Sequence, residues 1–210
     1  MEIHPPHAAI RSWSDFFMQL GTITAGVLIA LSLEGIRETI HDRSLVREAR
    51  RNIRREIADN RREIDQEIAQ MPERTRKIET AMRFTRDLLR DKRTDIHQIE
   101  IGLNFPTLSG ASWQTADRTG ALAHMEYAEV QKYAALYAFQ DFLSAQHRRA
   151  IDAMASALGL LSNSESGDPT SAPPAEIEQF RQAIVALTSI LFIEEQMART
   201  ASERYSRALE

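Results

Sequence analysis

The chain contains no cysteine. That excludes disulfides, thiolate-ligated zinc and thiol catalysis, and leaves the redox compartment open. Glycine and proline are sparse, eight and seven residues in 210, and little of the sequence alternates apolar and polar residues as a strand requires. Catalytic signatures are missing as well. There is no G-x-S-x-G elbow, no phosphate-binding or dinucleotide glycine loop and no H-E-x-x-H pair. The six histidines, at 4, 7, 41, 97, 124 and 147, are scattered, and no carboxylate–histidine spacing recurs on two helices as a di-metal bundle needs. His4 and His7 flank Pro5-Pro6 in what reads as a flexible tail over 1–12, where metal contact would be incidental. No catalytic residue, cofactor or metal site is expected. A net charge of −4 argues against a surface built for nucleic acid, and no such partner is expected.

What the chain does have is oil near its start. Phe16 to Leu33 run eighteen positions without a charge, and ten of them are Phe, Met, Leu, Ile or Val. As a helix this run spans roughly 27 Å, close to the hydrocarbon thickness of a bilayer. Each such residue near the helix centre gains about 0.3–0.6 kcal/mol on insertion, offset in part by Gln19, Thr22, Thr24 and Ser32. Trp13 stands at the upstream edge, where an amphipathic ring suits the headgroup layer, and Asp15 and Glu34 bracket the run. A cleaved secretory signal is the main rival, with Ala30-Leu31-Ser32 as its cleavage site. Its core would be only about 7–15 residues long after a basic start, whereas here the run is longer and Asp15 precedes it. A buried helix of a soluble protein seldom stays uncharged this long. The expectation is a transmembrane helix over 13–36, with the lipid bilayer as its first partner.

Orientation follows from the bases beside the span. Arg11 stands alone upstream, whereas Arg37, Arg43, Arg47, Arg50, Arg51 and Arg54 crowd the downstream side. The positive-inside rule then places the carboxyl-terminal domain in the cytoplasm.

Beyond the span, the pattern is helical throughout. Ala49, Ile53, Ile57, Ile64, Ile68 and Met71 recur at helical spacing and mark one apolar stripe. Pro72 reads as a break, with a second helix from Glu73 to about Arg90 carrying Ile78, Ala81, Met82, Phe84, Leu88 and Leu89; a kinked continuation is the alternative. Asn104-Phe105-Pro106 demands an extended or turn geometry, and a short helix follows near Trp113. A long helix is expected over 126–161 with a seam of Tyr133, Tyr137, Gln140, Ser144, His147, Ile151, Met154, Leu158 and Leu161. The small, polar stretch near 162–174 reads as a flexible loop. The last helix, from about Ala175, carries Ile177, Phe180, Ile184, Leu187, Leu191, Glu194, Ala198 and Ala201 at steps of three and four. These segments describe an all-α chain: a transmembrane helix continuing into an antiparallel bundle over 37–210.

Three groups of residues are candidates for function. Folding the last two long helices about the loop places Gln140 near Glu194 or Glu195 and His147 near Leu187 to Leu191, so that Gln140 and Glu194 could bond across the core. The plain interpretation of Gln140, His147 and Glu194 is a polar layer that sets helix register; the sharper one is a ligand pocket or a pH-responsive His147. Trp113, Phe105, Tyr127 and Tyr133 form an aromatic-rich neighbourhood, suited to core packing or to a partner surface. Inside the span, Thr22, Gly26 and Ala30 repeat every four residues, a row of small residues that lets two helices approach closely.

Trp13-Ser14-Asp15-Phe16-Phe17, with Gly26-Val27-Leu28-Ile29-Ala30-Leu31 and Leu33-Glu34, resembles a group of uncharacterised bacterial single-span membrane proteins that share a G-x-L-I-A-L-type span followed by a helical domain. The resemblance covers mainly 13–60 and extends to the stretch from Trp113 to Tyr137. It implies a bacterial cell-membrane location and helices, and carries over no functional residues. The expectation is therefore a non-enzymatic, membrane-anchored interaction or scaffold protein, partnered by further copies of itself or by another membrane protein. The alternative is a helical sensor that binds a small ligand.

Overall fold

The computed structural model describes residues 13–90, 99–162 and 172–210. The expected tail over 1–12 and most of the expected loop near 162–174 lie outside them. Four α-helices are present among the described residues: α1 (Trp13–Leu89), α2 (Ala111–Arg118), α3 (Tyr127–Ser162) and α4 (Pro174–Leu209), with a 3₁₀ turn at Ala121–His124. The chain divides into two compact units, Met1–Glu48 and Ala49–Glu210. The described part of the first is the opening stretch of α1, and its apolar window beginning at Phe16 has none of its residues buried.

The second unit is a bundle of long helices with an all-α core. Residue pairs give the directions. Arg50 meets Glu129, Asn60 meets Gln140 and Glu67 meets His147, so α1 and α3 run parallel. Asp65 meets Ser202 and Arg74 meets Glu194, so α4 runs antiparallel to α1; it also packs antiparallel on α3. Two parallel helices need a long return connection. Residues 99–126 supply it, lying back along α1 with Glu100 at Lys77, Ser109 at Asn60 and Ser112 at Glu56. Gly120 ends α2 at φ 76°, a left-handed turn that favours glycine. Pro173-Pro174 opens α4, where the missing N–H costs nothing.

Burial follows the helical period. Ile53, Ile57 and Ile64 are fully buried on α1, each contributing about 1.5–3 kcal/mol on leaving water. On α4 every residue of the expected stripe is buried. On α3 the expected seam is buried at Tyr133, Tyr137, Gln140 and His147, but beyond His147 the inner face shifts by one position. Ile151 and Leu158 are exposed, and Leu143, Ala150 and Ala157 are fully buried instead. The reason is packing: Ala150 and Ala157 admit Phe180, Ile184, Leu187 and Leu191 of α4, together with Ile78 and Ala81 of α1, at close range.

The expected break at Pro72 is not there. α1 continues through it to Leu89, so of the two readings the continuation holds and the break does not. An internal proline costs about 3 kcal/mol, but Pro72 is exposed, so water can serve the Ile68 carbonyl that loses its donor. On the inner side Met71 and Ile78 are buried on either side of the proline, and their packing favours one continuous helix.

Candidate functional site

Four ionisable side chains meet inside the bundle. Glu67 and Arg74 come from α1, His147 from α3 and Glu194 from α4. Arg74 Nη2 donates to Glu194 Oε2 at 2.6 Å, and its Nη1 lies 3.6 Å from Glu67 Oε1. On the opposite side, His147 Nε2 lies 3.6 Å from Glu67 Oε2 and 3.5 Å from Glu194 Oε1. Each carboxylate thus turns one oxygen to the guanidinium and the other to the imidazole. Phe105, from the return connection, stacks on the His147 ring at 4.4 Å, and Arg74 sits 5.5 Å above the same phenyl ring. A cavity of about 470 Å³ opens beside them, lined by Asp59, Asn60, Glu63, Glu67 and Phe105 among others.

The electrostatics are extreme for a bundle core. Burial, followed by the charge of Glu194, pushes the Glu67 carboxyl up to about 9. Burial works to raise Glu194 too, but His147, Glu67 and Arg74 together outweigh it and hold this carboxyl below its ordinary range. The two carboxyls are thus pushed apart, Glu67 towards its neutral form and Glu194 towards its charged one, with Arg74 as the counter-charge of Glu194.

One layer away lies a second polar group, and it is complete. Gln140 Oε1 accepts from Tyr205 Oη at 2.7 Å and from Asn60 Nδ2 at 3.0 Å, while Gln140 Nε2 donates to the Ser109 carbonyl at 3.0 Å. Asn60 holds the Ser109 residue at both ends, accepting from its N–H at 2.9 Å and donating to its carbonyl at 2.7 Å. Glu56 completes the layer. Its carboxylate accepts from Ser109 Oγ, the Ser112 N–H and Tyr137 Oη at 2.7, 2.9 and 2.7 Å, so that α1 caps α2, whose own cap residue, Gly110, has no side chain to do so. This layer fixes register and leaves nothing over for a ligand.

Burial opposes ionisation of Glu56, but these donors outweigh it and hold the carboxyl below its ordinary 4.5. A depressed carboxyl adds stability above its unfolded value and loses it as pH falls through the folded one. Acid below about pH 4.5 should therefore loosen α2 from α1. Glu56→Gln should cost about 1.5–3 kcal/mol at pH 7 and flatten the acid limb of a pH–stability curve followed by denaturant unfolding. An unchanged limb would mean that Glu56 does not carry the acid sensitivity.

Of the sequence candidates, His147 and Glu194 do meet, whereas Gln140 does not reach Glu194. It faces Tyr205, and Glu194 rather than Leu187 to Leu191 faces His147. The register differs from loop-based counting because the polar partners on α1 decide it. The aromatic candidates separate. Trp113 stacks on Tyr137 at 5.5 Å, Phe105 joins His147, Tyr133 is buried near Glu129, and Tyr127 is 75% exposed. In the first unit, Thr22, Gly26 and Ala30 are exposed, and nothing lies within 4 Å of a β-carbon built on Gly26.

Glu67, Arg74 and the placement of Phe105 escaped sequence reasoning. A signal existed: Glu67 stands three residues after Ile64 and four before Met71, on the apolar stripe itself. A charged residue on a buried stripe marks either a partner or a site. The chain matches no family model, no curated protein and no solved structure.

Proposed function

We propose that this chain is a non-enzymatic, membrane-anchored helical interaction protein. Its amino-terminal span tethers the bundle to the cytoplasmic face of a bacterial cell membrane. The observation that carries this reading is the wholly exposed apolar window of α1, which is long enough to cross a bilayer. Two of its hydroxyls are already satisfied within the helix. Thr22 Oγ1 donates to the Met18 carbonyl at 2.9 Å and Ser32 Oγ to the Leu28 carbonyl at 2.7 Å, which lowers their cost in lipid. Arg37, Arg43 and Arg47 favour the cytoplasmic side for the bundle helices. The Thr22–Gly26–Ala30 row supports pairing with a second copy or another membrane protein. Phe142, Phe192 and Ile193 stay more than half exposed on the bundle helices and suit a partner surface.

A second reading, a membrane-bound sensor, is favoured by one specific observation: the buried Glu67, His147 and Glu194 beside an open cavity. One experiment addresses the anchor and the pairing. Tags at each terminus should show only the amino terminus accessible from outside intact cells, with the chain in the membrane fraction. In the same membranes Gly26→Ile should weaken cross-linking into dimers. A chain recovered intact and unaggregated in the soluble fraction overturns the anchor, and Gly26→Ile dimers of undiminished yield overturn the helix contact.

A further inference from the structure

Buried polar atoms are nearly always hydrogen-bonded, because an unpaired one costs about 1–3 kcal/mol and more when charged. Against that rule, both Glu67 oxygens, His147 Nε2 and Glu194 Oε1 are buried without a hydrogen-bond partner. Their side chains are 2%, 6% and 0% exposed. All three point into one space: an oxygen of each glutamate and the imidazole nitrogen lie within 4.8 Å of one another.

The spacing has a chemical meaning. At 3.5 and 3.6 Å, His147 Nε2 is too far from either oxygen for a good hydrogen bond. Ligands held about 2.1 Å from a tetrahedral ion stand about 3.4 Å apart, the edge of that tetrahedron. His147 Nε2 thus stands at about that edge length from an oxygen of each glutamate, and the ligand atoms of all three residues lie within 4.8 Å of one another.

We propose that Glu67, His147 and Glu194 bind a divalent transition-metal ion, with zinc as the leading candidate. One imidazole nitrogen and two carboxylate oxygens suit zinc, manganese or ferrous iron. Calcium and magnesium prefer all-oxygen shells, and copper(I) prefers sulfur. The surroundings orient the ligands. Arg74 grips Glu194 Oε2 and so leaves Oε1 to face His147, and Phe105 fixes the plane of the imidazole. Entry is provided for as well: Asp59, Glu63 and Glu67 stand on successive turns of α1 along the cavity wall, an acidic approach for a cation. The ion would tie α1, α3 and α4 together at one point. This site lies wholly within the bundle and does not depend on membrane insertion, so it stands or falls apart from the anchor.

The test uses the full chain in detergent, stripped with a chelator and titrated with zinc against a chromophoric competitor. One equivalent should bind, and zinc should raise the melting temperature of the bundle. His147→Ala and Glu194→Gln should each weaken binding more than about 100-fold. A paired His4→Ala and His7→Ala variant should bind as the parent does, which separates the core from the tail. Should His147→Ala fail to fold, cobalt in the parent decides. Intense visible bands of low-symmetry, four- or five-coordinate cobalt support the site, and an aquo-like spectrum overturns it. Absence of stoichiometric zinc binding, or binding indifferent to His147 and Glu194, overturns it equally.

Discussion

Arg74→Met is expected to destabilise the bundle by about 3–5 kcal/mol, measured by urea or thermal unfolding of the chelator-treated chain in detergent. Methionine keeps much of the length of the side chain and removes its charge. The parent holds the Glu194 carboxylate at 0% exposure against the guanidinium, with Glu67 beside it. Without Arg74 the buried anion keeps only His147 beside it, and folding must carry its desolvation or bring a further proton into the core. For a bundle of this size the melting temperature should fall on the order of 10 °C. The sharper test is the cycle. Glu194→Gln placed in the Arg74→Met background should recover a large part of the loss, because both charges are then gone. A loss below about 1 kcal/mol, or no recovery, would mean that the pair is solvated by water inside the core.

Phe180→Ala carries a loss of the same order for a different reason. Phe180 is 1% exposed at the centre of the apolar cluster, against Ile78, Ala81, Ile101, Ile184 and Leu187. Truncation removes the transfer energy of the ring and leaves a cavity that helices on three sides cannot close, costing about 3–5 kcal/mol. Phe192 lies on the same helix at 66% exposure, and Phe192→Ala should change stability by no more than about 0.5 kcal/mol. The contrast isolates burial from residue type. Equal losses at the two sites would require the exposed face of α4 to be covered in solution, by another copy or by a partner.

The α4 stripe could be read from the sequence because its apolar residues obey a period of three and four without interruption, and a single helix face is a property of the chain alone. The α1 stripe could be read for the same reason from Ala49 to Met71. On α3 the period was ambiguous. Large apolar residues and alanines are spread round the helix, so beyond His147 Ile151 and Leu158 read as the seam, although Ala150 and Ala157 are the buried residues there. Size complementarity with Phe180 and Leu187 chose the small-residue face over the more hydrophobic one. Pro72 misled in a similar way. Its intrinsic penalty is real, but the packing of Met71 and Ile78 decides the path of the chain.

The helical class, the apolar window near the start, the absence of thiol chemistry and the inner face of α4 are legible in the residues alone, because each depends on local composition or on a period along one stretch of chain. The closed bundle is what sets α1 parallel to α3, gives Gln140 Asn60 rather than Glu194 as its partner, and brings Glu67, Arg74, His147 and Glu194 into one buried space. Those residues are 7 to 127 positions apart. No spacing rule connects them, since the distance that matters runs across three helix axes, and it exists only once the bundle has closed.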